Sequence, residues 1–250
     1  MTYQIKECNA SPRFQLITDD QALFDVCEQA RTQSAVALDT EFIRVRTLHP
    51  KLGLIQLYAG DEVALIDPTT IQDFSPFIAL LADESVLKVL HACGEDLEVF
   101  QHYFAQLPQP MCDTQVMANF LGFAGSAGFA TLVQHYFHIE IDKGASRTDW
   151  LARPLSEIQL RYAAADVWYL LPLYAQMQIQ LAQTEWQSAV KNECEFLLNK
   201  RAHAVKNPDT AYIAIPNAWK LNPLELMRLK LLAKWRMEEA MRRDLALNFV

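Results

Sequence analysis

The chain has 250 residues, 51% of them hydrophobic, and a formal net charge of −8. That length supports one full α/β domain plus a smaller helical piece, and the absence of any apolar stretch of 18 residues argues against a membrane-spanning helix. The start, Met1 to Glu7, lacks the apolar core of a secretory signal, and five widely spaced cysteines with no CxxC pair (Cys8, Cys27, Cys93, Cys112, Cys194) read as reduced thiols of a cytoplasmic protein, not as a disulfide framework or zinc site.

In chain order, the first clear element is a strand predicted over 35–42, opened by the apolar run Ala35-Val36-Ala37-Leu38. Leu52 to Tyr58 predicts a second strand. Val63 to Ile66 predicts a third, joined to it by a hairpin through Ala59-Gly60-Asp61-Glu62. A helix around 74–82 and a buried strand at 86–91 follow. The next helix starts near Gly94 and runs to about Phe104, where Pro108 and Pro110 forbid its continuation. Met111 to Asp113 predicts a short fifth strand, with Asp113 capping a helix near 114–121. Another helix at 129–137 lies beyond the glycine-rich stretch 122–128. Helices near 156–181 and 184–203 complete this part. Residues 206–221 read as a linker, and Asn222-Pro223-Leu224-Glu225 opens a new helix. Strands alternating with helices predict a mixed sheet flanked by helices.

Three places along this pattern carry acidic residues suited to chemistry. Asp39 and Glu41 lie two apart at the end of the first strand, so their side chains share one face. Paired carboxylates are costly unless a cation binds them, and hard divalent cations prefer oxygen ligands. Asp96 sits in the first turn of the helix after the 86–91 strand, where the helix dipole favours an anion. Taken alone it would read as a cap. Tyr162 and Asp166 stand at i and i+4 on a helix, again on one face. His91 reads as a core histidine and Trp168 as core packing.

The ordered set Asp-x-Glu after a strand, Asp at a strand-to-helix turn, and Tyr-x-x-x-Asp on a helix resembles the DEDD 3′→5′ exonucleases of the tyrosine-bearing subclass. The stretch from Asp142-Lys143-Gly144 through Arg147-Thr148-Asp149-Trp150-Leu151-Ala152-Arg153-Pro154-Leu155 is similar to ribonuclease D in particular, as is Ala163 to Pro172. This likeness covers roughly residues 14 to 250. It implies a ribonuclease-H-like mixed sheet in a 3′→5′ exonuclease domain over 1–205, and a partial all-helical accessory domain starting at 222. Because such proteins usually continue further, it also implies a truncated or short form. The implied activity is metal-dependent removal of nucleotides from RNA with a free 3′ end, with tRNA precursors as substrate and 5′-mononucleotides as product. The implied cofactors are two divalent metal ions, Mg2+ or Mn2+. Asp39, Glu41, Asp96 and Asp166 would be the ligands: Asp39 would touch both ions, Glu41 and Asp166 would hold the one nearer the attacking water, and Asp96 would support the other. Tyr162 would orient that water. A monomer without membrane partners is expected. A DNA exonuclease and an inactive RNA-binding module are the alternatives; a glycosidase built on paired carboxylates explains neither Tyr162 nor the order of the blocks.

The acidic total is uneven. Residues 1–190 hold 11 Lys/Arg against 23 Asp/Glu, a balance of −12, whereas 191–250 hold 11 against 7, a balance of +4. Seven of the basic residues before 191 cluster near the carboxylates as Arg44, Arg46, Lys51, Lys143, Arg147, Arg153 and Arg161, and a local basic rim can hold phosphates despite an acidic total. Phe42, Arg44, Arg46 and His49 after the first strand, with Lys143, Arg147 and Trp150, are the predicted RNA contacts, the ring of Trp150 serving as a stacking surface and that of Phe42 suiting base contact and core packing equally.

Overall fold

In a computed structural model the described residues are 11–142, 144–204 and 206–250. Six strands form one mixed sheet in the order β1-β4-β3-β2-β5-β6. They are β1 (Phe14–Ile17), β2 (Ala35–Ile43), β3 (Lys51–Tyr58), β4 (Val63–Ile66), β5 (Leu87–Leu90) and β6 (Met111–Asp113). The β2-β3-β4 meander is antiparallel, while β1, β5 and β6 pair in parallel with β4, β2 and β5. The ribonuclease-H-like mixed sheet implied by the sequence is therefore present.

Alternation along β2 divides the core into two layers. Val36 and Leu38 face a layer built with α1 (Asp20–Arg31), α2 (Ser75–Ala82) and α3 (Gly94–Phe104), through Leu23, Cys27, Phe77, Leu80, Leu97 and Phe100. Ala35 and Ala37 face the other layer, where Ala163, Ala164 and Val167 of α6 (Glu157–Trp168) rest on Leu54, Tyr58, Val63 and Leu65. Small residues on both β2 and α6 let that helix approach the sheet closely. Helices α4 (Thr114–Phe120), α5 (Phe129–Phe137), α7 (Leu170–Leu181) and α8 (Gln187–Ala202) close the end of the sheet around β6.

Two elements were not anticipated. β1 is only four residues long and is exposed along much of its length, and it pairs with β4 almost fifty positions away. α1 is capped by the Asp19 side chain, which accepts from the Ala22 N–H at 2.9 Å. The expected single helix over 156–181 is two helices that meet at Tyr169. Pro172 lacks the N–H that would reach back to the Trp168 carbonyl, so the ladder breaks there. The stretch 206–221 carries two 3-10 turns, Pro208–Ala214 and Ala218–Lys220. α9 (Pro223–Arg243) then starts with a reciprocal Asn222/Glu225 capping box. The end of the chain returns to the β2–β3 loop: the Ala246 N–H donates to the Arg46 carbonyl at 2.8 Å, and the His49 N–H donates to Asp244 at 3.2 Å. Among the described residues, no helix is long and apolar enough to cross a membrane.

Candidate metal centre and its surroundings

β2 outruns its parallel neighbour. Pairing with β5 covers only Ala35 to Ala37, whereas pairing with β3 continues to Ile43. Beyond Ala37, one side of β2 is free of strand, and the chain leaving β5 turns into α3 there. Asp39 and Glu41 occupy this overhang, at the carboxyl ends of two parallel strands, where open α/β sheets typically bind ligands. A bulge between Glu41 and Phe42 ends the regular register.

α6 brings Asp166 to the same point. Oxygen atoms of Asp39, Glu41 and Asp166 lie within 4.8 Å of one another, and each residue is partly buried. Asp96 arrives from α3 on the other side of β2. It is buried, and the Thr40 hydroxyl donates to its Oδ1 at 2.5 Å. Alternation thus gives the three residues 39–41 separate tasks: the two carboxylates face α6, and the threonine between them fixes Asp96. Asp96 lies outside the tight three-residue group but close enough for its charge to be felt by Glu41 and Asp166. Thr40 was not anticipated, although its position between two candidate ligands on a strand was the available signal.

The electrostatics of this group are unfavourable as they stand. Burial, and then the Asp166 charge, hold Asp39 well above the usual carboxylate range. Burial, followed by Asp39, Asp166 and Asp96, pushes Glu41 up to about 10. Burial lifts Asp166 to about 7 against the opposing hydrogen bond from Tyr162. Burial and the Asp39 charge raise Asp96. Among the described residues, no Lys or Arg pairs with any of the four. An all-oxygen, partly buried donor set without a basic partner fits a hard divalent cation.

Tyr162 donates its hydroxyl to Asp166, and burial pushes its own ionisation up. Its ring centroid lies 6.1 Å from that of Trp150. Trp150 is only 1% exposed and has no free face for a base, so the predicted stacking role is replaced by packing behind Tyr162. Its backbone is pressed against β3: a Cβ on Gly53 would lie 2.5 Å from the Trp150 carbonyl oxygen and 2.8 Å from its Cβ, so only glycine fits. Arg153 fastens this contact. Its guanidinium bonds both oxygens of Asp67 at 2.6 and 2.7 Å, the Gly53 carbonyl at 2.7 Å and the Trp150 carbonyl at 2.9 Å.

The predicted basic rim is correspondingly thinner. Arg153 is taken by Asp67, and Arg161 pairs with Glu157. Arg44 pairs with Glu95 at 3.0 Å and Glu98 at 2.9 Å. Arg46 lies over the Phe249 ring at 5.4 Å, and His49 stacks on His102 at 4.2 Å while approaching Lys206. Phe42 is partly buried against the core. Arg147 is exposed, and Lys143 lies outside the described residues. Asp113 caps α4 through the Gln115 N–H and also holds the Ala92 and Cys93 N–H groups ahead of α3, while Trp168 is core. His91 bonds Thr114 through Nδ1 at 2.9 Å.

Residues 14–182 match the 3′–5′ exonuclease family. The chain belongs to that family. It is 60% identical over 248 residues to a ribonuclease D of Haemophilus influenzae, covering 98% of this chain and 62% of that protein. The crystal structure of Escherichia coli RNase D, described as an exoribonuclease involved in structured RNA processing, aligns with a TM-score of 0.91 at 51% identity, over 95% of this chain and 63% of that one. Brucella melitensis NrnC with bound Mg2+ aligns with a TM-score of 0.64 at 26% identity, over 77% of this chain and 92% of that one. These matches bear out the likeness to ribonuclease D read from the sequence. The chain spans about three-fifths of the length of the ribonuclease D relatives it matches.

Proposed function

We propose that this chain is a metal-dependent 3′→5′ exoribonuclease that hydrolyses RNA from its free 3′ end and releases 5′-mononucleotides. The observation that carries this reading is the convergence of Asp39, Glu41 and Asp166 within 4.8 Å, with no basic partner among the described residues. Family membership and the likeness to ribonuclease D support it. Precursors of tRNA are the proposed substrate, and the proposed setting is a cytoplasmic monomer. We take residues 1–205 as the exonuclease domain, 206–221 as its linker and 222–250 as the start of a helical accessory domain.

Two divalent ions, Mg2+ or Mn2+, are the proposed cofactors. When bound, such ions stabilise the charge that develops on the attacking and leaving oxygens of a phosphodiester. Asp39, Glu41 and Asp166 are the residues that would hold them, with Asp96 supporting the group while Thr40 fixes its position. Tyr162 is assigned to orienting the water. Its hydroxyl already donates to Asp166, and its raised ionisation leaves it a hydrogen-bond donor, not a base. The exposed Arg147, together with Arg44, Arg46, His49, Lys143 and Phe42, forms the proposed RNA-facing rim.

The test is to incubate the protein with 5′-labelled single-stranded RNA, and with DNA of the same sequence, in Mg2+ or Mn2+. The expected result is a ladder that shortens from the 3′ end of RNA, with 5′-mononucleotides as product. Faster trimming of DNA would overturn the RNA assignment. RNA that is bound but never shortened would leave a binding module.

A further inference from the structure

Cys112 of β6 and Cys194 of α8 meet where the last strand of the sheet packs against that helix. Both side chains belong to one buried cluster and line one cavity. The Asp113 N–H donates to the Cys194 sulfur at 3.4 Å. A backbone N–H donated to a sulfur favours its thiolate. The two thiols are pushed apart: the neighbouring Cys112 thiol holds Cys194 below its ordinary value in spite of burial, and the Cys194 thiol, with burial, raises Cys112. Both residues line a cavity of about 750 Å³ whose wall also includes Gln109, Gln178 and Lys191. Cys27 is fully enclosed in the core, and burial pushes its thiol up to about 12.

We propose that Cys112 and Cys194 are a reversible oxidation site, at which a small hydroperoxide entering the cavity converts the two thiols to a disulfide. The Cys194 thiolate attacks the terminal peroxide oxygen. The O–O bond breaks, a sulfenic acid forms on Cys194, and the departing hydroxide takes a proton to leave as water. The Cys112 sulfur then gives up its proton and attacks the Cys194 sulfur. The S–O bond breaks and a second water leaves. The two thiols lose two protons and two electrons, and hydrogen peroxide gains them. The bridge would close the segment that carries α4 to α7, including Tyr162 and Asp166.

The experiment treats the intact protein with hydrogen peroxide and maps its non-reduced peptides by mass spectrometry. The expected product is a peptide joining Cys112 to Cys194, two hydrogens lighter than the free pair and released by dithiothreitol. In Cys112→Ser, dimedone should label Cys194; in Cys194→Ser, Cys112 should remain a thiol at the same peroxide dose. Absence of the joined peptide from oxidised, folded wild-type protein would overturn the proposal, as would a link through any other cysteine or dimedone on Cys112. The wild-type map involves no substitution, so misfolding of a variant does not obscure the result.

Discussion

Replacing Arg153 by Ala should destabilise the protein by an amount that its contacts allow to be set in advance. The guanidinium holds both oxygens of Asp67 and the carbonyls of Gly53 and Trp150, and the Asp67 side chain is only 5% exposed. Removing one partner of a buried ion pair costs about 3–5 kcal/mol, because the other charge is left without compensation. Arg153 is itself 25% exposed, so water screens part of the interaction and the lower end, about 3 kcal/mol, applies. For a chain of this size each kcal/mol moves Tm by about 2–4 °C, which gives a fall of about 6–12 °C. Arg153→Lys keeps the charge but not the planar fork, and should recover less than half of the loss. The effect is also pH-dependent. Burial raises Asp67, but its bonds from Arg153 and Thr69 outweigh that and hold the carboxyl below its ordinary value. A depressed carboxyl contributes stability that is fully present above the unfolded value of about 3.9 and is lost as pH falls through the folded value. The gap between wild type and Arg153→Ala should therefore be widest near neutrality and close in acid. Differential scanning calorimetry from pH 7 down to 3 measures it. A fall in Tm of less than about 2 °C at pH 7, or a gap that widens in acid, would show that Arg153 does not fasten this contact.

Gly53→Ala should lower stability by about 1–3 kcal/mol, read by chemical denaturation, because its Cβ meets Trp150 backbone 2.5 Å away with nowhere to move. Tyr162→Phe keeps the packing against Trp150 but removes the donor to Asp166; the single-turnover rate should fall by about 10²-fold or more while Mn2+ affinity, followed by calorimetry, stays within about threefold. Because residues 191–250 carry a balance of +4, charge reversal at the exposed Lys220 and Arg228 of that segment should weaken RNA binding and flatten its dependence on log salt by about 0.7 for each phosphate no longer neutralised, with little change in the rate at saturating short RNA.

The sheet and the candidate site were legible to different depths. The apolar runs at 35–38, 52–58, 63–66 and 86–91, the short stretch 111–113, and the proline and glycine breaks between helices sufficed for β2 to β6 because these signals are local. β1 was not legible: of its four residues only Ile17 is buried, and its partner strand lies far along the chain. α1 could have been read from Asp19 and the Leu23, Cys27, Ala30 spacing. The carboxylates were legible because their order and spacing are local features of three segments. The residues that hold the site in place were not, because their partners are remote: Thr40 and Asp96 are 56 positions apart, and Arg153 and Asp67 are 86 apart. For the same reason Arg153 looked like part of a basic rim and Trp150 like a stacking surface in the sequence, and both proved to be internal fastenings.

In the proposed mechanism Asp39, at the meeting point of β2 and α6, holds the ions on which cleavage depends. The most direct measurement is single-turnover trimming of 5′-labelled RNA by wild type and Asp39→Asn, each in saturating Mn2+ and in excess chelator. Stepwise shortening from the 3′ end is predicted only for wild type with metal. Folded Asp39→Asn should be reduced to less than about a tenth of that rate, since even one positioning group contributes about 10²-fold or more. Trimming by wild type in chelator, or an Asp39→Asn variant that keeps more than about a tenth of the wild-type rate, would rule out that role for Asp39.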